Sequence, residues 1–393
     1  MKQLDFLLVG GGLQNALIAS ALAHHQPRAR VAIVEAESRV GGNHVWCFHA
    51  EDVSLEAAPF VEPFVVRRWP KYRVHFPTYA RTLEDSYAAV TSNALHDALV
   101  GLSGRTRVEL MLGTAARCVE PYRVELESGD LLEARWVIDA RGPERFARTE
   151  AIGYQKFIGL ELEVSPESAP SEPTLMDCTI EQRDGLRFFY VLPLAERRVL
   201  VEDTYFSDHP ELDERVIEAE ILRYAEHRGL VVKGIARKER GVLPLPSRAP
   251  VAVSSRSGLV HAGYQGGWFH PTTGYSFPLA VRLATLIATA TEGELPLRLS
   301  ELITRTARQQ RFAVLLNRML FLAFAPELRR AVFERFYRLP PDTVRRFYAL
   351  SLSGTDRARI VCGRPPRGLS ARGLLSAVRD RRVVFNPQPE TNP

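Results

Sequence analysis

Two neighbouring carboxyl groups, Glu202 and Asp203, lie in a segment whose pattern predicts a β-strand. Successive side chains of a strand point to opposite faces of its sheet, so only one of the two can face a given cavity. Glu202 shares its face with Leu200 and Thr204. A carboxyl held among apolar side chains has a raised pKa and can donate a proton at neutral pH. The alternative is that the pair merely ends a hairpin strand at the solvent.

The first 35 residues have the order of a nucleotide-binding βαβ unit. A strand ends in three glycines at 10–12, an Ala- and Leu-rich helix covers 15–25, and a second strand at 31–34 ends in Glu35. Glycine at the turn lets the backbone approach a pyrophosphate, which the N–H groups and dipole of the helix N-terminus stabilise. Glu35 would accept hydrogen bonds from ribose hydroxyls. Asn15 stands where the third glycine of the fingerprint is usual.

Later segments favour FAD over NAD as the resident cofactor. A second glycine pair at 41–42 resembles that of a large group of flavoproteins, and a strand at 136–142 ends in small residues. Glycines at 263 and 274 precede a helix that begins near 277, and its N-terminus would suit a flavin ring edge. The residues expected at the cofactor are Gly10, Gly11, Gly12, Leu13, Gln14, Glu35, Arg39, Gly42, Ala140, Gly142, Gly263, Thr272, Thr273 and Gly274.

The elements that must position these residues predict an α/β fold. We expect the first part of a Rossmann-like FAD-binding domain at 1–150 and an antiparallel-sheet substrate domain at 151–254, because strands follow one another there without helices. The FAD-binding domain returns at 255–295, and a helical, basic region covers 296–393. A length of 393 residues, 46% of them hydrophobic, is enough for such lobes.

Composition excludes several classes of protein. The four cysteines lie far apart and form no CxxC pair, so we expect reduced thiols and a cytosolic compartment. No metal-binding motif occurs, and no basic-then-apolar leader opens the chain. The net charge is +5, but basic runs interleaved with aromatics are absent through most of the chain, so we expect no nucleic-acid partner. Polar residues break the longest uncharged stretches, so no membrane span is expected.

Eight separated motifs, in order along nearly the whole chain, resemble the bacterial lycopene beta-cyclases. They are Gly10-Gly11-Gly12-Leu13-Gln14-Asn15, Gly41-Gly42-Asn43-His44-Val45-Trp46, Gln155-Lys156-Phe157-Ile158-Gly159, Met176-Asp177, Phe188-Phe189-Tyr190-Val191-Leu192-Pro193, Val201-Glu202-Asp203-Thr204, Gly241-Val242-Leu243-Pro244-Leu245-Pro246 and Pro271-Thr272-Thr273-Gly274-Tyr275. Asn15 is also what that family shows in place of the third glycine.

The resemblance implies an isomerase that closes the ends of linear lycopene into β rings, giving γ-carotene and then β-carotene without net redox change. It implies reduced FAD, with NAD(P)H or another donor serving only to keep the flavin reduced. The family's acid–base carboxylate falls on Glu202, and Asp203 would support the site from behind. An FAD-dependent monooxygenase or reductase of a polyprenyl lipid is the main alternative, and a non-catalytic flavin-binding membrane protein is a third.

Protonation of an alkene creates a carbocation, which the site must stabilise. Aromatic faces contribute roughly 1–2 kcal/mol each when desolvated, and the candidates are Phe188, Tyr190, Trp268 and Phe269. An anionic reduced flavin can do more in a site of low dielectric.

Lycopene must be taken from a bilayer, so the resemblance also implies a cytoplasmic protein attached peripherally to the inner face of the membrane. Ten arginines between 305 and 346 frame the apolar block 319–325, a pattern that suits an interfacial helix. The arginine-bearing tail at 364–382 is a second candidate. A buried core helix with a charged outer face would explain the same pattern.

Overall fold

The computed structural model describes residues 4–142, 151–250, 258–362 and 368–379. Its strands, in chain order, are β1 (Leu4–Val9), β2 (Val31–Val34), β3 (Val45–His49), β4 (Arg67–Trp69), β5 (Tyr72–Phe76), β6 (Tyr79–Leu83), β7 (Tyr87–Thr91), β8 (Val108–Met111), β9 (Ala116–Glu120), β10 (Arg123–Leu126), β11 (Leu131–Asp139), β12 (Ala151–Val164), β13 (Thr174–Asp177), β14 (Leu186–Ala195), β15 (Arg198–Ser207), β16 (Val232–Pro246) and β17 (Leu259–His261). Its α-helices are α1 (Leu13–His25), α2 (Ala58–Val61), α3 (Ser92–Ser103), α4 (Glu214–His227), α5 (Phe277–Thr289), α6 (Leu295–Ala323), α7 (Arg329–Tyr337), α8 (Pro341–Tyr348), α9 (Gly354–Val361) and α10 (Ala371–Arg379).

The first sheet has the order β8-β2-β1-β11-β10-β9, and β17 also pairs with β11. β1 runs parallel to both β2 and β11. All four residues of β2 are buried, because parallel strands at the centre of a sheet are covered on both faces. On one face α1 packs against α5 over Leu8 and Ile33. The strand predicted at 136–142 is the second part of a longer strand, β11, which begins at Leu131 and ends at Asp139.

The second sheet has the order β16-β12-β15-β14-β13-β5-β6. Its β12, β14, β15 and β16 pair antiparallel, as the run of consecutive strands predicts, whereas β5 joins β13 in parallel. β5 and β6 come from within residues 1–150, so a hairpin of the first lobe completes this sheet. α4 covers one face, where Val199 and Val201 are buried. The other face packs Phe188 and Leu200 against the C-terminal helices.

A third, short sheet has the order β3-β7-β4. The region from 295 onward is helical in its described part, as predicted. Together these elements confirm the α/β class with a Rossmann-like first sheet, a largely antiparallel second sheet and a helical C-terminal part.

The apolar block at 319–325 is only partly exposed, as the alternative of a buried core helix allows: Leu322 is 40% exposed, but other residues of the block are buried. Leu320 is 5% exposed and Phe324 is 7% exposed. Leu320 belongs to the apolar cluster between the second sheet and the C-terminal helices, so helical periodicity placed these residues correctly on a helix but did not identify the face that is covered. Arg329, one of the ten framing arginines, is also buried and pairs with Asp208 at 2.7 Å. Within the described residues, no helix combines the length and apolarity needed to cross a bilayer.

Candidate active site

One row of residues crosses four adjacent strands of the second sheet and contains the predicted acid. Tyr190 on β14 lies opposite Glu202 on β15. Glu202 in turn lies opposite Gly159 on β12, and Gly159 lies opposite Glu239 on β16. Residues directly opposite in neighbouring strands project to the same face. The row therefore places two carboxyls and a phenol together on the face that packs toward the C-terminal helices.

Glu202 has the environment of a proton donor. Its side chain is partly accessible, yet protein atoms surround the carboxyl, and burial raises its pKa from 4.5 to about 8. The negative charge of Glu239 is the second cause of this rise in pKa, while the Thr204 hydroxyl, which donates to Oε1 of Glu202 at 2.5 Å, opposes it. A carboxyl with a pKa near 8 is largely protonated at neutral pH.

Asp203 points the opposite way, into the interface with α4. Its carboxylate accepts hydrogen bonds from Arg187 Nε at 2.9 Å and Nη2 at 2.7 Å, and from the Tyr205 hydroxyl at 2.9 Å. Asp203 and Arg187 are both buried. Burial raises the pKa of Asp203, while the hydrogen bond and charge of Arg187 lower it. The two adjacent carboxyls therefore occupy different environments, one beside a phenol and a second acid and the other in an ion pair.

The four predicted aromatic residues separate into two pairs. Phe188 and Tyr190 share the face of Glu202, with their ring centroids 5.3 Å apart. Trp268 packs in the apolar core around the first sheet, and its Nε1 donates to the His261 carbonyl. Phe269 stacks on the Tyr264 ring at 4.4 Å. Only the first pair lies in the strands beside Glu202.

A cluster of buried and partly buried aromatic residues lies near Tyr190 and was not identified from the sequence. His49 contacts the rings of Tyr72, Tyr87, Tyr275 and Tyr348. The cluster comes from β3, β5, β7, the loop before α5 and α8, so its members are far apart in the chain. Tyr275, the residue after Gly274 in the last of the eight motifs, was the only signal that could have pointed to it.

The first glycine loop has the geometry that a pyrophosphate requires. Gly10 has φ +92°, and a Cβ there would lie 3.0 Å from the Ala140 carbonyl oxygen. At Gly12 a Cβ would meet no described heavy atom within 4 Å, so space is open on that side of the turn. Asn15, at the place of the third glycine, ties the start of α1 to the end of β1, because its Nδ2 donates to the carbonyl oxygens of Val9 and Gly10.

Three further predicted residues lie around this loop. The Gly11 N–H donates to a Glu35 carboxylate oxygen at 2.5 Å, and the Gly41 N–H donates to the Gly11 carbonyl at 2.9 Å. The second glycine pair therefore does return to the first loop, with Gly42 at φ +58°. Arg39 lies half-exposed beside it, with Nη2 3.9 Å from Asp97.

The returning segment meets the first loop on its other side. A Cβ at Gly263 would lie 3.5 Å from the Ala140 Cβ and 3.8 Å from the Gln14 Cβ. The Gln14 side-chain amide donates to the Ala280 carbonyl and so ties α1, which begins at Leu13, to α5. At Gly142 a Cβ would meet no described atom within 4 Å.

The loop before α5 joins the cofactor region to the second sheet. Gly274 has φ +67°, and a Cβ there would lie 2.8 Å from Leu243 Cδ1 and 3.9 Å from Gln155 Oε1. Gln155 is four residues from Gly159 on β12 and on the same face, about 13 Å away along the strand. Thr272 donates its hydroxyl to the Ala313 carbonyl and its N–H to His270 Nδ1, so both of its donors already have partners. The Thr273 hydroxyl accepts from the Tyr275 N–H.

These residues fit a dinucleotide. The N-caps of α1 and α5, Gly12 and Ser276, make no side-chain capping hydrogen bond. Backbone N–H groups at both helix N-termini are therefore available for an anionic or carbonyl group of a ligand. A cavity of about 500 Å³ near Asp5 and Arg135 lies at the opposite, N-terminal end of β1. Ligands of such sheets bind at the carboxyl ends of the strands, so this cavity is not part of the site.

Comparison with known proteins agrees with the sequence resemblance. The model of the family described as "Lycopene cyclase protein" matches residues 5–372. The lycopene beta-cyclase of Pantoea ananas is 40% identical over 369 residues, which cover 92% of this chain and 95% of that protein. The chain belongs to the lycopene cyclase family.

Solved structures share the fold at low identity. A geranylgeranyl bacteriochlorophyll reductase-like protein from Thermoplasma acidophilum is 15% identical with a TM-score of 0.61, covering 97% of this chain and 96% of that one. A probable FAD-dependent monooxygenase from Pseudomonas aeruginosa is 16% identical with a TM-score of 0.54, covering 91% and 98%. At such identity the likeness shows the fold and does not choose between cyclase and oxygenase chemistry.

Proposed function

We propose that the protein is a lycopene β-cyclase in which Glu202 is the acid that starts ring closure. The observation that carries the proposal is the position of the Glu202 carboxyl, whose pKa is raised by burial, beside Tyr190 and on the sheet face that the Gly274 loop also reaches. Glu202 transfers its proton to the terminal trisubstituted double bond of lycopene, which leaves a tertiary carbocation. A neighbouring double bond attacks that cation and closes the six-membered ring. The Glu202 carboxylate, left as a base by the first step, then accepts one proton from the ring, which fixes the ring double bond and restores the acid, so protons and electrons balance.

The surrounding side chains have separate tasks in this scheme. Tyr190 and Phe188 present ring faces on the side of the sheet where the cation forms, and such faces stabilise positive charge. The buried rings around His49 exclude water, which would otherwise trap the cation as an alcohol. Asp203 holds β15 to α4 through Arg187 and so fixes the direction of Glu202. Trp268 and Phe269 support the cofactor side of the site by packing.

The proposal includes reduced FAD as the resident cofactor and NAD(P)H as an electron donor. The residues that would hold FAD are the glycines of the first loop, Glu35, Gly42, Gly263 and Gly274. When bound, the reduced anionic flavin would supply negative charge that stabilises the cationic ring intermediate. The open side of Gly12 and the uncapped N-termini of α1 and α5 support this assignment.

The proposal also includes peripheral attachment at the inner face of the membrane, through the second of the two candidates that the sequence offered, the tail at 364–382. Within the tail at 364–382 the structure describes residues 368–379, which contain α10. Leu375 is 47% exposed and Val378 is 50% exposed, and at a spacing of three they share one side of this helix. Arg372 on the same helix is exposed, so an apolar face with a basic neighbour is available to an anionic bilayer.

The decisive experiment compares native enzyme with Glu202→Gln in a lycopene-accumulating host. The variant should retain flavin and lose cyclisation by 100-fold or more, within the range of about 10²–10⁴ for general acids, because an amide is not a comparable acid. In heavy water the native enzyme should place one deuterium in each ring. Product without solvent deuterium would exclude closure by protonation. NAD(P)H consumption stoichiometric with product would favour the monooxygenase or reductase alternative instead.

A further inference from the structure

Glu239, which the sequence did not single out, faces the proposed acid across a strand that carries no side chain at that point. Gly159 lies between Glu202 and Glu239 in the row. A Cβ on Gly159 would lie 3.0 Å from Glu239 Cγ and 3.2 Å from its Oε1. The Glu239 side chain therefore occupies the space that a side chain at 159 would fill. Two strand spacings separate the α-carbons of the two acids by roughly 10 Å, and their side chains shorten that gap.

Burial raises the pKa of Glu239, and the charge and hydrogen bond of Arg237 oppose that rise. Glu239 is 4% exposed, its Oε2 accepts from Arg237 Nη1 at 2.8 Å, and its carboxylate also accepts from the Val45 N–H. Arg237 is fixed in turn by Glu161, at 2.9 Å, and by Asn43, at 2.8 Å. Glu202 receives only the neutral Thr204 hydroxyl among the hydrogen bonds described for it. When the two acids share one proton, the member without an arginine keeps it.

The other ionisable groups near Glu202 do not change this assignment. The ionisable neighbour of Glu202 on β14 is Tyr190, and the one on β3 is Cys47. Burial raises the pKa of both side chains, so both are neutral. On β15 itself Asp203 points to the other face and is compensated by Arg187. On β16 the cation Arg237 opposes the effect of Glu239 on Glu202, but its guanidinium is shared between two acids.

We propose that Glu239 is a positioning residue for proton transfer: its arginine-anchored carboxylate, facing Glu202 across Gly159, keeps the shared proton on Glu202. This rests on the proposed function of Glu202 as the acid. Glu239 acts through Glu202 and need not touch the substrate. Gly159 is required for this arrangement, because a side chain at that position would separate Glu202 from Glu239.

The test is the pH dependence of kcat/KM for Glu239→Gln, measured with reduced flavin. Two charges about 7 Å apart at an effective dielectric of 20 change a pKa by about 1–2 units. We expect the alkaline fall of activity to move down by about one pH unit or more, because Glu202 loses its proton more easily. Glu239→Asp keeps the charge and should restore most of the native profile. Glu163→Gln, four residues from Gly159 on the same strand and paired with Arg198, is the matched control and should not move it.

A lower rate at every pH with an unmoved alkaline limb would show a merely structural role and overturn the proposal. A downward shift in Glu239→Asp as large as in Glu239→Gln would do the same. A second measurement needs no Glu239 variant: the infrared difference between native enzyme and Glu202→Gln should contain a protonated carboxyl at pH 7. Suppose that no protonated carboxyl is found, while Glu202→Gln is inactive and solvent deuterium still enters the ring. The proposal for Glu239 then fails, and the function of Glu202 as the acid stands. If Glu202→Gln remains active, the proposed function fails first.

Discussion

Replacing Asp203 by Asn tests whether adjacent carboxyls on one strand have different tasks. The asparagine keeps the size of the side chain but removes its charge. Arg187, which is 2% exposed, would then keep only Glu220 as a described acidic partner, at 3.3 Å rather than the 2.7 Å of its contact with Asp203. The variant therefore leaves a cation buried with weak compensation on the α4 side of the sheet, far from the face that carries Glu202.

The size of the effect follows from the loss of a buried pair. Breaking such a pair by removing one partner costs about 3–5 kcal/mol. Glu220 retains part of the compensation, so we expect a loss near 3 kcal/mol in the free energy of unfolding. By contrast, Glu163→Gln breaks a pair in which the Glu163 side chain is 48% exposed, and exposed pairs contribute about 1 kcal/mol or less.

The assay is urea unfolding followed by tryptophan fluorescence, with cyclisation measured on the same preparations. Asp203→Asn should lower the unfolding midpoint clearly more than Glu163→Gln and should keep at least a tenth of the native kcat at low temperature. Glu202→Gln should show the reverse pattern, with near-native stability and almost no activity. A stable but inactive Asp203→Asn would refute the division of tasks, since it would place the essential carboxyl on the wrong face.

Three further outcomes follow from the geometry. Native kcat/KM should fall about tenfold per pH unit above about pH 8, because burial raises the pKa of Glu202 to that value and only the protonated acid donates; a flat profile to pH 10 would contradict it. Gly12→Val should purify folded but with little flavin, since the added side chain enters open space beside the loop; native flavin absorbance per chain would count against the loop as the pyrophosphate site. Changing Leu375 and Val378 together to Ser should weaken sedimentation with anionic liposomes by about tenfold or more, whereas Leu297→Ser, 66% exposed at the start of α6, should not; equal binding by both would place the membrane contact elsewhere.

Local pattern was enough to predict the cofactor half of the molecule. Strand, glycine turn, helix and acid follow one another within 35 residues, and their order alone determines how they pack. The opposite directions of Glu202 and Asp203 were also predictable, because strand alternation depends only on the chain itself. The structure agrees on both points, with Gly41 returning to Gly11 and Asp203 turned toward α4.

The rest depended on contacts between distant segments. β5 and β6 belong to the first 150 residues but extend the second sheet. Nothing in the local sequence at 72–83 predicts this pairing. β16 carries Lys238, Glu239 and Arg240 in succession, so its sequence lacks the apolar alternation that marks a strand. Helix α6 was predictable as a helix, but which of its faces is buried depends on the sheet beneath it. Glu239 was missed for the same reason: its partner acid is 37 residues away and on a strand that is not its neighbour.

The position of β12 explains how an acid and a cofactor from separate parts of the chain can work on one substrate. β12 is the strand between Glu202 and Glu239, and its earlier residue Gln155 lies against the Gly274 loop. Gln155 and Gly159 are on one face with no irregularity of register between them, so their separation of about 13 Å is set by strand geometry rather than by flexible loops. A rigid spacing of this kind fixes the position of the proposed acid relative to the loop that would hold the cofactor. It also makes the β12 face the part of the molecule where a single substitution, such as one at Gly159, would disturb the acid without touching the cofactor loop.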